Sequence, residues 1–185
     1  MSTIRGVIFH SRLDYIEKHI DGGTFKKNGE KLSPPARQVL FDQVFLASKY
    51  PFEMLKELDK ILPEITSEAP EPLFRKIGRD FAQTLLDRYF FNYIEAQKPH
   101  KFLHQFQRLY DNLWDFGRYE LMSGETQKVQ VRLTYEEEVH PEYHWFMEEF
   151  FKAGVEICSG KNVSVSRISN NAGNEESQVY QISWR

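Results

Sequence analysis

The sequence predicts an α+β protein, with a helical N-terminal two-thirds packed on a four-stranded antiparallel sheet in β-β-α-β-β order. Two observations predict this. Up to about residue 113, apolar side chains recur at steps of three and four, the period of an amphipathic helix. Beyond "DFG" at 115–117 the period drops to two, and one long helical stretch interrupts the alternation. Helices gathered against an antiparallel sheet share one core. A chain of 185 residues suffices for one such domain, 1–185, and is short for two.

Taken in order, "GVIF" at 6–9 reads as a short strand or extended lead-in. Ser11 then opens a helix, with Ser11-x-x-Asp14 in the spacing of a capping box. Leu13, Ile16 and Ile20 follow at helical spacing, and "DGG" at 21–23 ends the element. Residues 24–32 are polar and read as a loop. Ser33 caps the next helix with Pro34 at its first position, where the missing N–H costs nothing. Pro51 repeats the device before Leu55, Leu58, Ile61 and Leu62, and the three prolines of 63–72 mark a connector. The longest helix runs from Leu73 to about Gln97. Within it Gly78 lowers helix propensity and so admits a close neighbour. A helix after Pro99 carries Phe102, Phe106, Leu109 and Leu113. A β-hairpin turns around "SGETQ", a helix spans about 141–157, and "NVSVSRIS" and "VYQISW" form the last two strands around a polar loop.

Composition excludes several function classes. Acidic residues number 27 against 24 basic, for a net charge of −3, so the basic surplus of a nucleic-acid binder is missing. No window approaches about 18 uninterrupted apolar residues, and the N-terminus has no signal-peptide pattern, so a soluble cytoplasmic protein is expected. The single cysteine, Cys158, excludes an intrachain disulfide and a multi-cysteine zinc site. Aromatic residues make up 15%, which calls either for a bulky core or for apolar surface that a partner covers.

Several segments occur in an order that resembles a known family: "GVIFHSRLDYIEKHI", "YPFEMLKEL", "IGRDFAQTLL", "FLHQFQRLYDNLWDFGRYEL", "HPEYHWFMEEFFKAGVEICSGKNVSV" and the terminal "YQISW". They resemble a family of bacterial proteins of this length, common in myxobacteria and other deltaproteobacteria. That family is similar in turn to the superfamily of haem–nitric-oxide sensors, 4-vinyl reductase regulatory domains and TRAPP transport subunits. The resemblance implies a β-β-α-β-β sheet with helices enclosing an apolar pocket. It also implies small-molecule sensing or assembly with protein partners, often as dimers. Haem-bearing relatives carry a proximal histidine and a Tyr-x-Ser-x-Arg clamp, and no such clamp occurs here, so no haem or other cofactor is expected. Vinyl-reductase-like relatives place cysteines after a Gly-Asp pair near the last hairpin. This chain has Gly173-Asn174 followed by Glu175, Glu176, Ser177 and Gln178.

Candidate chemistry is sparse. His140 and His144, and likewise His100 and His104, are four apart, the spacing that presents two imidazoles to a metal from one helix face. Pro141 places His140 at the helix start, however, and two ligands alone are a weak metal signal. A histidine cluster of these four residues is the alternative to the main reading. Phe74, Phe81, Tyr89, Phe102, Phe106, Phe146 and Phe150 line an apolar ligand pocket if one is open, or fill a core if it is not. The aromatic-rich helices 33–62 and 73–97 are the expected face of a homodimer, with Phe52 and Leu58 as its interface residues. Glu136 to Glu138 read as a solvated acidic run, Cys158 as an inert buried thiol, and no catalytic constellation converges. The expectation is a non-catalytic signalling or scaffolding module that binds a protein partner, with room for a small apolar ligand between helices and sheet, and that binds neither nucleic acid nor membrane.

Overall fold

The computed structural model describes residues 2–135, 139–168 and 176–185. The chain opens with β1 (Thr3–Arg5), which pairs antiparallel with β2 (Lys49–Pro51), Thr3 opposite Pro51. Strands of three residues are too short to show an alternating pattern, and the sequence reading misses both.

"GVIF" is helical, not extended. Helix α1 (Gly6–His19) starts at the glycine, whose N–H donates to the Ser48 carbonyl at 2.8 Å. A Cβ at Gly6 would collide with the Phe45 carbonyl oxygen, so the chain reaches this close approach only with glycine. Ser11 is therefore inside the helix, where its hydroxyl donates to the Ile8 carbonyl at 2.6 Å.

The expected loop at 24–32 holds α2 (Gly22–Asn28) and a 3₁₀ turn at Gly29–Lys31. Asp21 caps α2 by accepting from the Thr24 N–H at 2.9 Å, and Phe25 is buried with its ring 5.0 Å from that of Phe41. Helix α3 (Pro34–Asp42) starts as predicted, with the Ser33 hydroxyl accepting from the Ala36 N–H, and stops six residues short of Ser48.

The proline-rich connector is largely helix. Helix α4 (Phe52–Thr66) runs through Pro63, because Ile65 continues the buried face of Leu55, Leu58, Ile61 and Leu62. Helix α5 (Pro70–Arg88) begins only four residues later and ends before a 3₁₀ turn at Phe91–Tyr93, so it is shorter than predicted. Helices α6 (Pro99–Leu113) and α7 (Pro141–Ile157) begin at prolines, where the sequence places them.

The four-stranded antiparallel sheet is present, in the order β3-β4-β6-β5. Strands β3 (Arg118–Glu125) and β4 (Lys128–Tyr135) form the hairpin, with a register shift between Leu121 and Ser123. Strand β6 (Glu176–Ser183) pairs with β4 and with β5 (Ser164–Ile168). The polar connection predicted between the last two strands falls mostly outside the described residues, as do Glu136 to Glu138 and Gly173-Asn174.

Helix α7 sits at the centre, packed on α5, on α6 and on the sheet. Gly78 admits this neighbour as predicted: a Cβ there would strike the carbonyl oxygen of Phe146. Val129, Val131, Leu133 and Tyr135 point inward from β4 and close the core from the sheet side.

Candidate functional site

Six of the seven predicted pocket residues come together. Phe81 on α5 lies 5.5 Å from the ring of Phe146 and 5.6 Å from that of Phe150, both on α7. Phe150 is 5.7 Å from Phe106 on α6, and Phe106 touches Phe102, Tyr119 and Phe151 at 5.9, 5.0 and 4.9 Å. Phe74 is buried beside the same cluster, above the Arg12 guanidinium. These are edge and tilted contacts at the spacing of a close-packed core, and they run unbroken from α5 through α7 to α6. Tyr89 does not join them. It falls at the C-terminal cap of α5 and is 48% exposed, because the helix ends sooner than the sequence suggests.

The interface candidates are corrected outright. Phe52 is 1% exposed and Leu58 0%; Phe52 stacks near Phe116 at 4.6 Å and both belong to the core, so neither offers a face to a second subunit. Amphipathic helices on a small domain bury their apolar side in their own core first.

The histidine quartet is split. His100 and His104 stack on one another at 4.5 Å on α6, beside Gly124 at the hairpin tip, where burial and then His104 hold the His100 pKa below its ordinary value. His140 and His144 lie near Tyr135, at the far end of β4. Seven strand steps at about 3.4 Å each separate Lys128 from Tyr135, so the two pairs cannot share an ion. His140 and His144 have their own partners as well. His140 bonds through Nε2 to Asp59 at 3.0 Å, and His144 through Nδ1 to the Tyr180 hydroxyl at 3.0 Å. Among the described residues no three His, Cys, Asp or Glu side chains gather as a metal ion requires. Cys158 is fully buried, and burial pushes its thiol up to about 11, against a reactive role.

The polar centre of the molecule is one the sequence reading misses. Arg12 on α1 and Asp59 on α4 are each 0% exposed and form a bidentate pair, Nε to Oδ1 and Nη2 to Oδ2, both at 2.9 Å. His140, at the cap of α7, adds the third member, and the Arg12 guanidinium lies 4.3 Å from the Phe146 ring centre. Burial works against the Asp59 charge, but Arg12 and the His140 hydrogen bond outweigh it and hold the carboxyl below its ordinary value. The pattern is visible in retrospect. Arg12 is four residues from Ile8 and from Ile16, and Asp59 sits between Leu55 and Leu62, so each occupies a buried stripe.

Beside this network lies a second polar group, made of tyrosines. Tyr110 and Trp114 stack at 4.8 Å, and Tyr143 meets Trp114, Tyr135 and His140 at 6.3, 5.8 and 6.4 Å. The hydroxyls of Tyr110, Tyr135 and Tyr143 and the indole N–H of Trp114 are buried without a well-formed partner among the described residues. Burial raises the pKa of all three phenols, which stay protonated.

This architecture is the fold of the H-NOX proteins. The Cs H-NOX carrying 4-cyano-L-phenylalanine at site 5 matches with a TM-score of 0.75 at 10% identity, covering 98% of this chain and 97% of that one. The Fe(II) unliganded H-NOX protein from K. algicida matches at 0.72 with 14% identity, over 98% and 97%. A structure that probes the function of heme distortion in the H-NOX family matches at 0.74 with 10% identity, over 98% and 95%. Over residues 2–185 the chain belongs to the family DUF2378, described as a protein of unknown function. No curated protein matches the sequence. No helix among the described residues is long and apolar enough to cross a membrane.

Proposed function

We propose that this chain is a non-catalytic signalling or scaffolding module that uses the H-NOX fold without haem and acts through a protein partner. One observation carries the reading: the space between α5, α6, α7 and the sheet is filled by the chain's own rings. Haem, which is named for some of the similar structures, needs an axial donor, room for the macrocycle and cations for its propionates. The donor set does not fit it. His144, the one buried histidine among the described residues, is occupied by Tyr180, and Arg12, the one buried cation among them, is neutralised by Asp59. The Tyr110 phenol lacks a well-formed partner among the described residues, but Phe106 and Trp114 pack against its ring. A small apolar ligand enters this interior only by moving one of the rings.

A partner surface is supported by Phe45 and Phe91, large aromatics that lie more than half exposed. Signalling in such a module is a population shift, in which the partner favours one packing of the helices. The test is an absorption spectrum together with native and denaturing mass spectrometry of freshly purified protein. The expected result is no Soret band and a native mass equal to one or two bare chains. A Soret band, or a haem-sized mass lost on denaturation, refutes the reading.

A further inference from the structure

A cleft between α1 and α5 lies on the outer side of the aromatic interior and shares Phe81 with it. It has a volume of about 190 Å³, below the roughly 300–1,000 Å³ of drug-sized pockets, so it suits a small molecule. Its walls are mixed: Val7, Leu46, Phe81, Leu85 and Tyr89 supply the apolar part, and charged and hydroxyl side chains of α1 and α5 the rest. The partly exposed Leu46 and Tyr89 at this cleft are two of the few large apolar side chains the fold leaves uncovered.

The charges are ordered along it. Tyr15 near the end of α1 donates its hydroxyl to Glu68, just before α5, and Val7 at the start of α1 shares the cleft with Tyr89 at the end of α5. The two helices are therefore antiparallel. Asp14 and Asp80 fall together toward one end, and His10 and Arg88 toward the other. His10 is fixed by a 2.7 Å contact from Nε2 to the Val44 carbonyl, to which the ring donates. Asp14, Asp80, Lys18 and Arg88 form no ion pair or hydrogen bond among the described residues, in a protein where many other surface charges do. With Lys18 one turn beyond Asp14, the carboxylates outnumber the cations by one at this end of the cleft, and a guanidinium stands at the other.

We propose that this cleft binds a small zwitterion whose ammonium and carboxylate are separated by an apolar spacer. The ammonium sits between Asp14 and Asp80, the spacer passes over Phe81 toward the exposed Leu46 and Tyr89, and the carboxylate pairs with Arg88. Eight helical residues put the Asp80 and Arg88 Cα atoms about 12 Å apart, and the long arginine side chain shortens that to the reach of a five-carbon chain. An α-amino acid, with its two charges adjacent, spans too little. This inference does not rest on the haem-free reading, since the charges it uses lie on the outer side of α1 and α5.

The probe is 6-aminohexanoate, titrated into the full ¹⁵N-labelled chain and followed by amide chemical shifts, with hexylamine and hexanoate as its two halves. Saturable shifts on α1 and α5 are expected at micromolar to about 10 mM probe, the range open to so small a ligand. Each half should bind at least tenfold more weakly. Asp80→Asn and Arg88→Gln, both at exposed positions, should each weaken binding at least tenfold while leaving the melting temperature unchanged. Three results overturn the proposal: no saturable shift with 6-aminohexanoate, hexylamine binding as tightly as the zwitterion, or Arg88→Gln binding as the parent does. None of these bears on the Soret measurement, so the two readings fail separately.

Discussion

Replacing Asp59 with alanine is the sharpest test of the polar centre. The change leaves the Arg12 guanidinium with 0% exposure, its two 2.9 Å bonds to the carboxylate gone and the Ser11 hydroxyl as its remaining side-chain hydrogen-bond partner among the described residues, beside the rings of Phe146 and Phe74. Breaking a buried pair from one side costs about 3–5 kcal/mol, because the orphaned charge keeps its full desolvation penalty. A domain of this kind is stable by about 5–15 kcal/mol, so the variant folds marginally or not at all. With a urea slope of about 2–3 kcal/mol/M, the unfolding midpoint should fall by about 1–2 M. Removing both charges, as Arg12→Met with Asp59→Leu, should restore most of the loss, since an apolar pair of similar volume needs no compensation. A loss below about 1 kcal/mol in Asp59→Ala would mean that Arg12 reaches water, and the burial argument would be wrong. A double variant as damaged as the single one would refute it too, by placing the cost in packing rather than in charge.

Stability should also fall with pH through two groups. His144 is held at about 4 by burial, with Arg167 and His140 adding to it, against an ordinary 6.5. Its folded pKa is depressed, so the unfolded chain binds the extra proton first. Stability is whole above about 6.5 and declines by about 3 kcal/mol as pH falls to about 4. His144→Gln should flatten that limb of a pH series of urea midpoints, and an unchanged slope counts against the assignment. The Asp59 contribution, whose pKa is also lowered, is present above its unfolded value and is lost only at more acid pH. Gly78→Ala should cost about 1–3 kcal/mol in thermal melts, because its new methyl pushes on the Phe146 carbonyl and parts α5 from α7. A melt unmoved by that substitution would show that the two helices are not so close.

What the sequence reveals follows from which signals are local. Pro99 and Pro141 act within a single turn, and α6 and α7 begin where those prolines stand. The alternation of Val129, Val131, Leu133 and Tyr135 reports one buried face, and β4 follows. Three prolines between 63 and 72 suggest a break, yet Ile65 has core to bury and α4 runs past Pro63, a tertiary demand overriding a local preference. Arg12 and Asp59 escape notice because a charge is read as facing water, and only its mate, 47 residues away, makes burial tolerable. Phe52 and Leu58 err in the opposite sense: an apolar stripe says that a face is covered, but not whether by the same chain or by another.

The buried pair has a consequence for how the helices move. An apolar core is non-directional and tolerates small slides of one helix on another. The Arg12–Asp59–His140 network is directional, and its three members come from α1, α4 and the N-terminal cap of α7. Helix α7 in turn contacts α5, α6 and the sheet. Near the same end of the molecule β1 is tied to the end of α6: the Thr3 N–H donates to Asp115, and Arg5 to the Asn112 carbonyl at 3.0 Å. A shift of α1 relative to α4 must break a hydrogen bond to a buried charge, worth about 1.5–3 kcal/mol, before anything slides. A shift that keeps the bonds must carry the start of α7 along with it. The packing therefore resists a continuous slide of α1 on α4, the behaviour that the proposed population shift calls for.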